Sequence, residues 1–392
     1  MALVPFSYNM RSLLVRRTAT LLTVLGIGAT VAVVAGVLAL QQGFRTLFTE
    51  SGRDDVVVFL RPGSTNEGDS IFTLERSEIL KKSLPEVATG PDGSFLISGE
   101  LYLAVRRYKV DGGETNVPLR GVQPATFDIF GDGDDGIRIV EGRRFRPGSD
   151  EVIVGRRLVN RIQDCQVGDT IQLNVTPFQV VGVFDCNGPG SSEVWGDRDR
   201  MGEALERNAF SRVIARLGPE VDLEELKERM AEHPRVPCKV MTERDYLTGQ
   251  TRVLSTMLGV LGGFLAVIMG IGAVFTATNT MLAALAARSH EIGILLSIGF
   301  RPVAIFSAFL FESMLLGLLG GAVGCVMTLP LNRVETGAAN FQTFTEVAFA
   351  FRVTPFVLGV AVLFSLALGL IGGAWPAWRA ARLKPTVALR RG

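Results

Sequence analysis

The chain is poor in side chains that do covalent or metal chemistry. Its only histidines are His233 and His290, and its cysteines are Cys165, Cys186, Cys238 and Cys325. They form no C-x-x-C pair and no Cys/His cluster, which argues against zinc and against a His-based triad. No G-x-x-x-x-G-K-[ST] occurs and the dipeptide Gly-Lys is absent, so no P-loop nucleotide site can be written. G-x-S-x-G and H-E-x-x-H are absent as well. The acidic loop Gly131-Asp-Gly-Asp-Asp-Gly136 offers oxygens for calcium. It lacks a ligand at the fifth position and a distal Glu, and reads as a solvated turn. A Cys165–Cys186 disulfide stays open if that segment lies outside the cytoplasm, although three polar-block cysteines leave one over. What stands out instead is a short charged cluster, Arg288, His290 and Glu291, set between two long uncharged runs.

The elements around that cluster are apolar and long. Hydrophobic residues make up 47% of 392, and the mean hydropathy is +0.31. They are bunched rather than spread, which points to membrane spans more than to a large soluble core. The fold class expected is a membrane protein with four transmembrane α-helices, one N-terminal and three C-terminal. A large α+β extracytoplasmic domain sits between spans one and two. Residues 1–17 form a cytoplasmic amphipathic segment, with a short interfacial helix over 3–14. Span one is 18–41, read as a retained anchor rather than a cleaved signal peptide because its apolar run is long.

Residues 42–250 are the polar domain, acidic overall and arranged in two lobes. Strands are expected at Val56–Leu60, Glu100–Val110, Asn116–Val122, Glu151–Val154, Thr170–Val175 and Phe178–Phe184. Helices are expected at Leu74–Ser83 and Val221–His233. Residues 251–287 are span two with a stalk, part of one long helix from Met241 that opens on the capping pattern Thr242-Glu-Arg-Asp245. Residues 288–301 are an amphipathic turn, 302–331 span three, 332–352 a short polar loop, 353–378 span four and 379–392 a basic tail.

Orientation follows from charge. Arg11, Arg16 and Arg17 precede span one, Arg288 and Arg301 flank the turn, and Arg379, Arg382, Lys384, Arg390 and Arg391 follow span four. A four-span chain puts all three basic regions on one side, so both termini and the 288–301 turn are cytoplasmic. The net charge of +1 gives no overall signature for nucleic acid. Glycines four apart recur in the spans, among them Gly259/Gly263, Gly317/Gly321 and Gly320/Gly324, and can let helices pack closely. Glu312 falls inside span three. The expectation is that the span begins late and leaves it near the headgroups, with pairing inside the membrane as the alternative.

Four motifs in register carry a family resemblance. Asn279-Thr280-Met281 followed by Arg288-Ser-His-Glu-Ile-Gly-Ile-Leu-Leu-Ser-Ile-Gly299 resembles the segment after span two in bacterial ABC-transporter permeases of the MacB, LolC/LolE and FtsX superfamily. The tail Pro376-Ala-Trp-Arg-Ala-Ala-Arg-Leu-Lys-Pro-Thr-Val-Ala-Leu-Arg390 and the entry Arg16-Arg17-Thr-Ala-Thr-Leu-Leu-Thr-Val-Leu-Gly-Ile resemble the same family's ends. So do Val140-Glu-Gly-Arg-Arg-Phe145, Glu151-Val-Ile-Val-Gly155, Val167-Gly-Asp-Thr-Ile171 and Phe178-Gln-Val-Val-Gly-Val-Phe184 in the polar domain.

The resemblance implies that 288–301 is a coupling helix docking into a cytoplasmic ABC ATPase. Arg288, His290, Glu291, Ile292, Gly293, Leu295 and Gly299 would be its coupling residues, with Ile292, Leu295 and Leu296 turned to partner or membrane. Gly259, Gly263, Gly317, Gly321, Gly324 and Glu312 would serve transmembrane packing. His290 and Leu296 depart from the family's basic residues, which implies either a less acidic partner surface or an unusually specific partner. No ATPase precedes span one, so ATP and magnesium are expected on a separate subunit, with no cofactor on this chain and no enzyme activity of its own. A second permease copy, identical or paralogous, a periplasmic adaptor and the lipid bilayer complete the implied partners. The implied function is mechanotransmission in the bacterial inner membrane. ATP-driven motion would reach the periplasmic domain for MacB-like efflux or lipoprotein release. The alternative is an FtsX-like regulator of a cell-wall hydrolase.

Overall fold

The computed structural model describes residues 17–131, 133, 136–340 and 345–383. The helix expected at 3–14, Asp132, Asp134 and Asp135 of the acidic loop, and the tail from Lys384 lie outside them. The described residues fall into two compact units. One lies within Met1–Gly43, Ser255–Val334 and Ala350–Gly392, the other within Phe44–Leu254 and Glu335–Phe349.

Helix α1 (Arg17–Arg45) opens the described chain and closes in a π-helical turn, Thr46–Glu50. The polar unit follows with β1 (Val56–Leu60), β2 (Phe72–Thr73), α2 (Leu74–Lys82), β3 (Ile97–Tyr108), β4 (Glu114–Val122), α3 (Ala125–Phe130), β5 (Ile137–Gly142) and β6 (Glu151–Gly155). It continues with β7 (Thr170–Leu173), β8 (Thr176–Cys186), β9 (Val194–Asp197), α4 (Arg198–Ala204), β10 (Ala209–Phe210), β11 (Arg212–Arg216), α5 (Leu223–Ala231) and β12 (Lys239–Thr242).

One ten-stranded sheet runs β12-β1-β11-β3-β4-β9-β6-β8-β5, with β7 paired to β8. Its pairings are antiparallel except β4–β9 and β6–β8. Strand β1 reads VVVFL and is buried at every position, the pattern of a strand covered on both faces. Helix α2 starts where Thr73 accepts from Arg76 N, and α5 where Asp222 accepts from Glu224 N at 2.9 Å. The expected two lobes share this sheet and differ in core. Val57, Phe59, Phe72, Leu80 and Met230 fill one region, and Leu101, Val152, Phe178 and Met201 another.

The remaining elements are α6 (Glu243–Ala287), α7 (Ser289–Ser297), α8 (Pro302–Thr328), β13 (Glu335–Asn340), β14 (Thr345–Ala350) and α9 (Pro355–Ala381). Thr242 Oγ1 accepts from Asp245 N at 3.0 Å, capping α6. Among the described residues, four helices are long and apolar enough to cross a membrane: α1, α6, α8 and α9. One expectation is corrected. Residues 332–352 are not a plain loop, because β13 and β14 pair as a hairpin. The Cys165–Cys186 pairing, an open question in the sequence, is not formed: both thiols are free, and they belong to different core regions.

Candidate functional site

The charged cluster between the apolar runs folds as a corner built from α7. Arg288 is its N-cap residue but makes no side-chain cap. Its guanidinium instead donates to Glu312 of α8 at 3.2 Å, with the two side chains 12% and 5% exposed. Glu312 is therefore buried and paired within the chain. Ten residues into α8, an unpaired carboxylate would be costly, and a cation from the neighbouring corner offsets that cost.

Ile292 is also placed differently from the expectation. It is 2% exposed and packs with Met281, Leu285, Ile305 and Phe309, so it anchors α7 within the chain and is not turned outward. Gly293 is buried beside it. Leu296 joins the same cluster, and Leu295 is half-buried. Gly299 ends the helix. It adopts φ +105°, Phe300 N donates to Leu295 O at 3.1 Å, and Gly299 N donates to Leu296 O at 3.2 Å. That pair of bonds is a Schellman stop, which needs a residue tolerant of the left-handed region.

The outward face of α7 carries His290, Glu291, Ile294 and Ile298, all exposed, the last at 71%. Ile294 and Ile298 were not among the expected coupling residues. Their signal was the helical period: each residue turns about 100°, so Ile294 lies across the helix from Ile292, and Ile298 is one turn further along.

Helix α8 uses its staggered glycines on two neighbours. A Cβ on Gly317 would sit 2.6 Å from Ser365 O and 3.2 Å from Gly369 Cα, and Gly321 faces Ser365 as well. Gly320 and Gly324 face α1 instead, where a Cβ on Gly324 would meet Gly28 O at 2.7 Å. Backbones approach this closely only where side chains are missing. The expected Gly259/Gly263 pair does not pack in this way. Gly259 meets only Gln41, at 3.5 Å, and Gly263 has nothing within 4 Å, while the close approach in that stretch is Gly262 against Val37.

The polar unit holds a second constellation that no spacing announced. Arg120 on β4 forks onto Glu67 (2.7 and 2.8 Å) and Glu193 (2.6 and 2.9 Å) and reaches Glu100 at 3.0 Å. Arg212 on β11 adds Glu100 at 2.7 Å and Glu67 at 3.2 Å, and Trp195 Nε1 donates to Glu193 at 2.7 Å. All five charged side chains are buried. Burial pushes the Glu67 carboxyl up, but the Arg120 and Arg212 charges outweigh it and hold it below its ordinary value. Beside the network is a cleft of about 830 Å³, open solvent at its mouth included, whose lining includes Tyr102, Trp195, Cys186, Thr345 and Val347. Burial pushes the Cys186 thiol up to about 12, so it rests as a thiol.

Comparison with known proteins places both units. The family model for the MacB-like periplasmic core domain matches residues 20–233, and that for the FtsX-like permease C-terminal region matches 263–385. The macrolide export ATP-binding/permease protein MacB of Pasteurella multocida (strain Pm70) is 26% identical over 98% of this chain; the chain spans 60% of that relative's length. The uncharacterized ABC transporter permease YknZ of Bacillus subtilis (strain 168) is 24% identical over 97% of this chain and 96% of its own. The periplasmic region of MacB from Actinobacillus actinomycetemcomitans aligns in structure at a TM-score of 0.38 and 12% identity, over 50% of this chain and 92% of that one. With the first family model covering more than half of its residues and the second following in order, the chain belongs to the MacB/FtsX-like family of ABC-transporter permeases and is a multi-pass membrane protein.

Proposed function

We propose that this permease takes up ATP-driven motion from a separate cytoplasmic ABC ATPase through the outward face of α7. It delivers that motion to the polar domain on the far side of the membrane, for export or extraction of a substrate. The observation that carries this reading is the two-faced character of α7. One face is bolted to its own helices by Ile292 and the Arg288–Glu312 pair. The other leaves His290, Glu291 and two isoleucines exposed. A short helix rigid on one side and apolar on the other suits a docking element better than a solvated turn. The basic residues near the span ends support a cytoplasmic α7 in the inner membrane, with both termini inside. The export named for the Pasteurella relative supports the direction of work. The permease works as a pair with a second copy or a paralogue, and an adaptor receives what the polar domain moves.

The test is co-purification of the tagged permease with its ABC ATPase. Ile294→Asp with Ile298→Asp should reduce the bound ATPase at least about tenfold, as expected for loss of an interface anchor. The variant's own melting should stay unchanged, since both side chains are exposed. Unchanged capture of the ATPase by a folded double variant would sink the reading.

A further inference from the structure

The hairpin of β13 and β14 joins the third and fourth membrane helices in sequence, yet it belongs to the polar unit. Its own sequence does not explain its order. Glu335-Thr-Gly-Ala-Ala-Asn340 is poor in strand formers, and a two-stranded hairpin alone is marginal in water. Its order comes from what β14 touches.

Glu346 is the centre of those contacts. One carboxylate oxygen takes Arg161 at 2.5 Å; the other takes Lys109 at 2.6 Å and the Thr115 hydroxyl at 2.8 Å. The three donors come from three places: just after β3, within β4, and the segment between β6 and β7. The carboxylate is 20% exposed, so the pairs are only partly screened. Burial pushes its pKa up, but Lys109, Thr115 and Arg161 outweigh that and hold it below its ordinary value. Two backbone contacts follow along the strand. Arg157 donates to Ala348 O at 2.9 Å, and Ala348 N donates to Ser192 Oγ at 3.2 Å. Phe349 packs edge-on against Phe44, with ring centroids 5.3 Å apart.

Hydrogen bonds close the hairpin's base. Val334 N bonds Leu331 O at 2.9 Å, Phe351 N bonds Val334 O at 3.2 Å, and Val353 N bonds Asn332 Oδ1 at 2.7 Å.

We infer that Glu346 is the positioning residue that latches this hairpin to the polar domain, so that the domain's motion reaches α8 and α9 through the hairpin. This rests on the transmission reading above. Thr345 and Val347, on either side of Glu346, line the cleft that also contains Cys186. Release of the latch opens that wall, and the Cys186 thiol reports it.

The experiment uses the full chain with Cys165, Cys238 and Cys325 replaced by Ala, so that Cys186 alone reacts with a charged maleimide. Labelling is followed for the permease alone, and with its ATPase bound, with and without ATP and vanadate. Glu346→Lys should raise the labelling rate of the permease alone about tenfold, equivalent to ~1.4 kcal/mol of easier opening. It should also abolish the difference that nucleotide makes. Lys109→Glu with Arg161→Glu in the Glu346→Lys background should restore slow labelling, which a merely disrupted fold would not do. Glu346→Gln keeps the volume and should give an intermediate rate in a protein that melts near the parent. Labelling and nucleotide response unchanged in both Glu346 variants would overturn the latch. A parent protein that binds no ATPase would instead defeat the functional reading, while the rates measured without ATPase would still decide the latch.

Discussion

The polar unit encloses the charged network of Glu67, Glu100, Arg120, Glu193 and Arg212, whereas the helical unit brings backbone against backbone and buries the Arg288–Glu312 pair. The difference follows from the solvent each was built to exclude. In water, a sheet can enclose charges if every fork and lone pair is met, as Arg120 and its three glutamates are. Between helices surrounded by lipid, apolar burial gives little drive to associate. Close approach through Gly317, Gly321 and Gly324 takes its place. The first core is specific by charge geometry and fragile to the loss of one partner. The second is specific by shape and fragile to the gain of one methyl group.

Three experiments test that contrast, in falling order of effect. Arg120→Met leaves Glu67, Glu100 and Glu193 enclosed around a missing cation, and should cost about 3–5 kcal/mol of polar-unit stability by calorimetry of the full chain. Adding Glu67→Gln and Glu193→Gln should recover part of the loss. No recovery would mean the residue acts through volume rather than charge. Gly317→Val should cost about 1–3 kcal/mol in the helical unit, because its Cβ position already meets Ser365 O and Gly369 Cα. Gly263→Val, with open space around it, should stay within ~0.5 kcal/mol, measured by denaturant titration in detergent. Equal losses at the two positions would remove packing as the explanation.

The smallest effect is in the pH dependence of the polar unit's surface. The hydrogen bonds from Arg143 (2.6 and 2.7 Å) hold Glu151 at about 2, against an ordinary 4.5. The folded pKa is depressed, so this contribution is complete above pH 4.5 and fades as pH falls toward 2. Arg143 is half exposed, which keeps the term within ~1 kcal/mol. Glu151→Gln should flatten the acid limb of a melting-temperature profile. Parallel profiles for parent and variant would assign the acid sensitivity elsewhere.

The spans were legible because their apolar runs are long, and β1, β4, β6 and β8 because their β-branched residues sit between turn formers. Short strands such as β9, β11 and β12 were not. VWGD, RVIAR and KVMT carry polar or charged residues that read as loop, and only pairing across the sheet makes them strands. The hairpin was missed for the same reason: its order comes from Glu346 and not from propensity. Within the 288–301 segment, the helix itself was visible, but the side it turns inward was not. Ile292, Ile294 and Ile298 are alike in type, and only Met281, Leu285 and Phe309 from other helices decide which of them is buried. The ionic core was invisible because Glu67, Glu100, Arg120, Glu193 and Arg212 share no local spacing, and each alone reads as a surface charge.

The position of β1 in the sheet also sets a demand on the protein's synthesis. Its neighbours are β11 and β12, and neither exists until the chain has been made beyond residue 212. At ribosomal speed that delay is on the order of ten seconds. Throughout it, a fully apolar VVVFL segment waits with both edges open, the kind of stretch that seeks other chains when it cannot find its own. That interval ends when β11 and β12 arrive to close both sides.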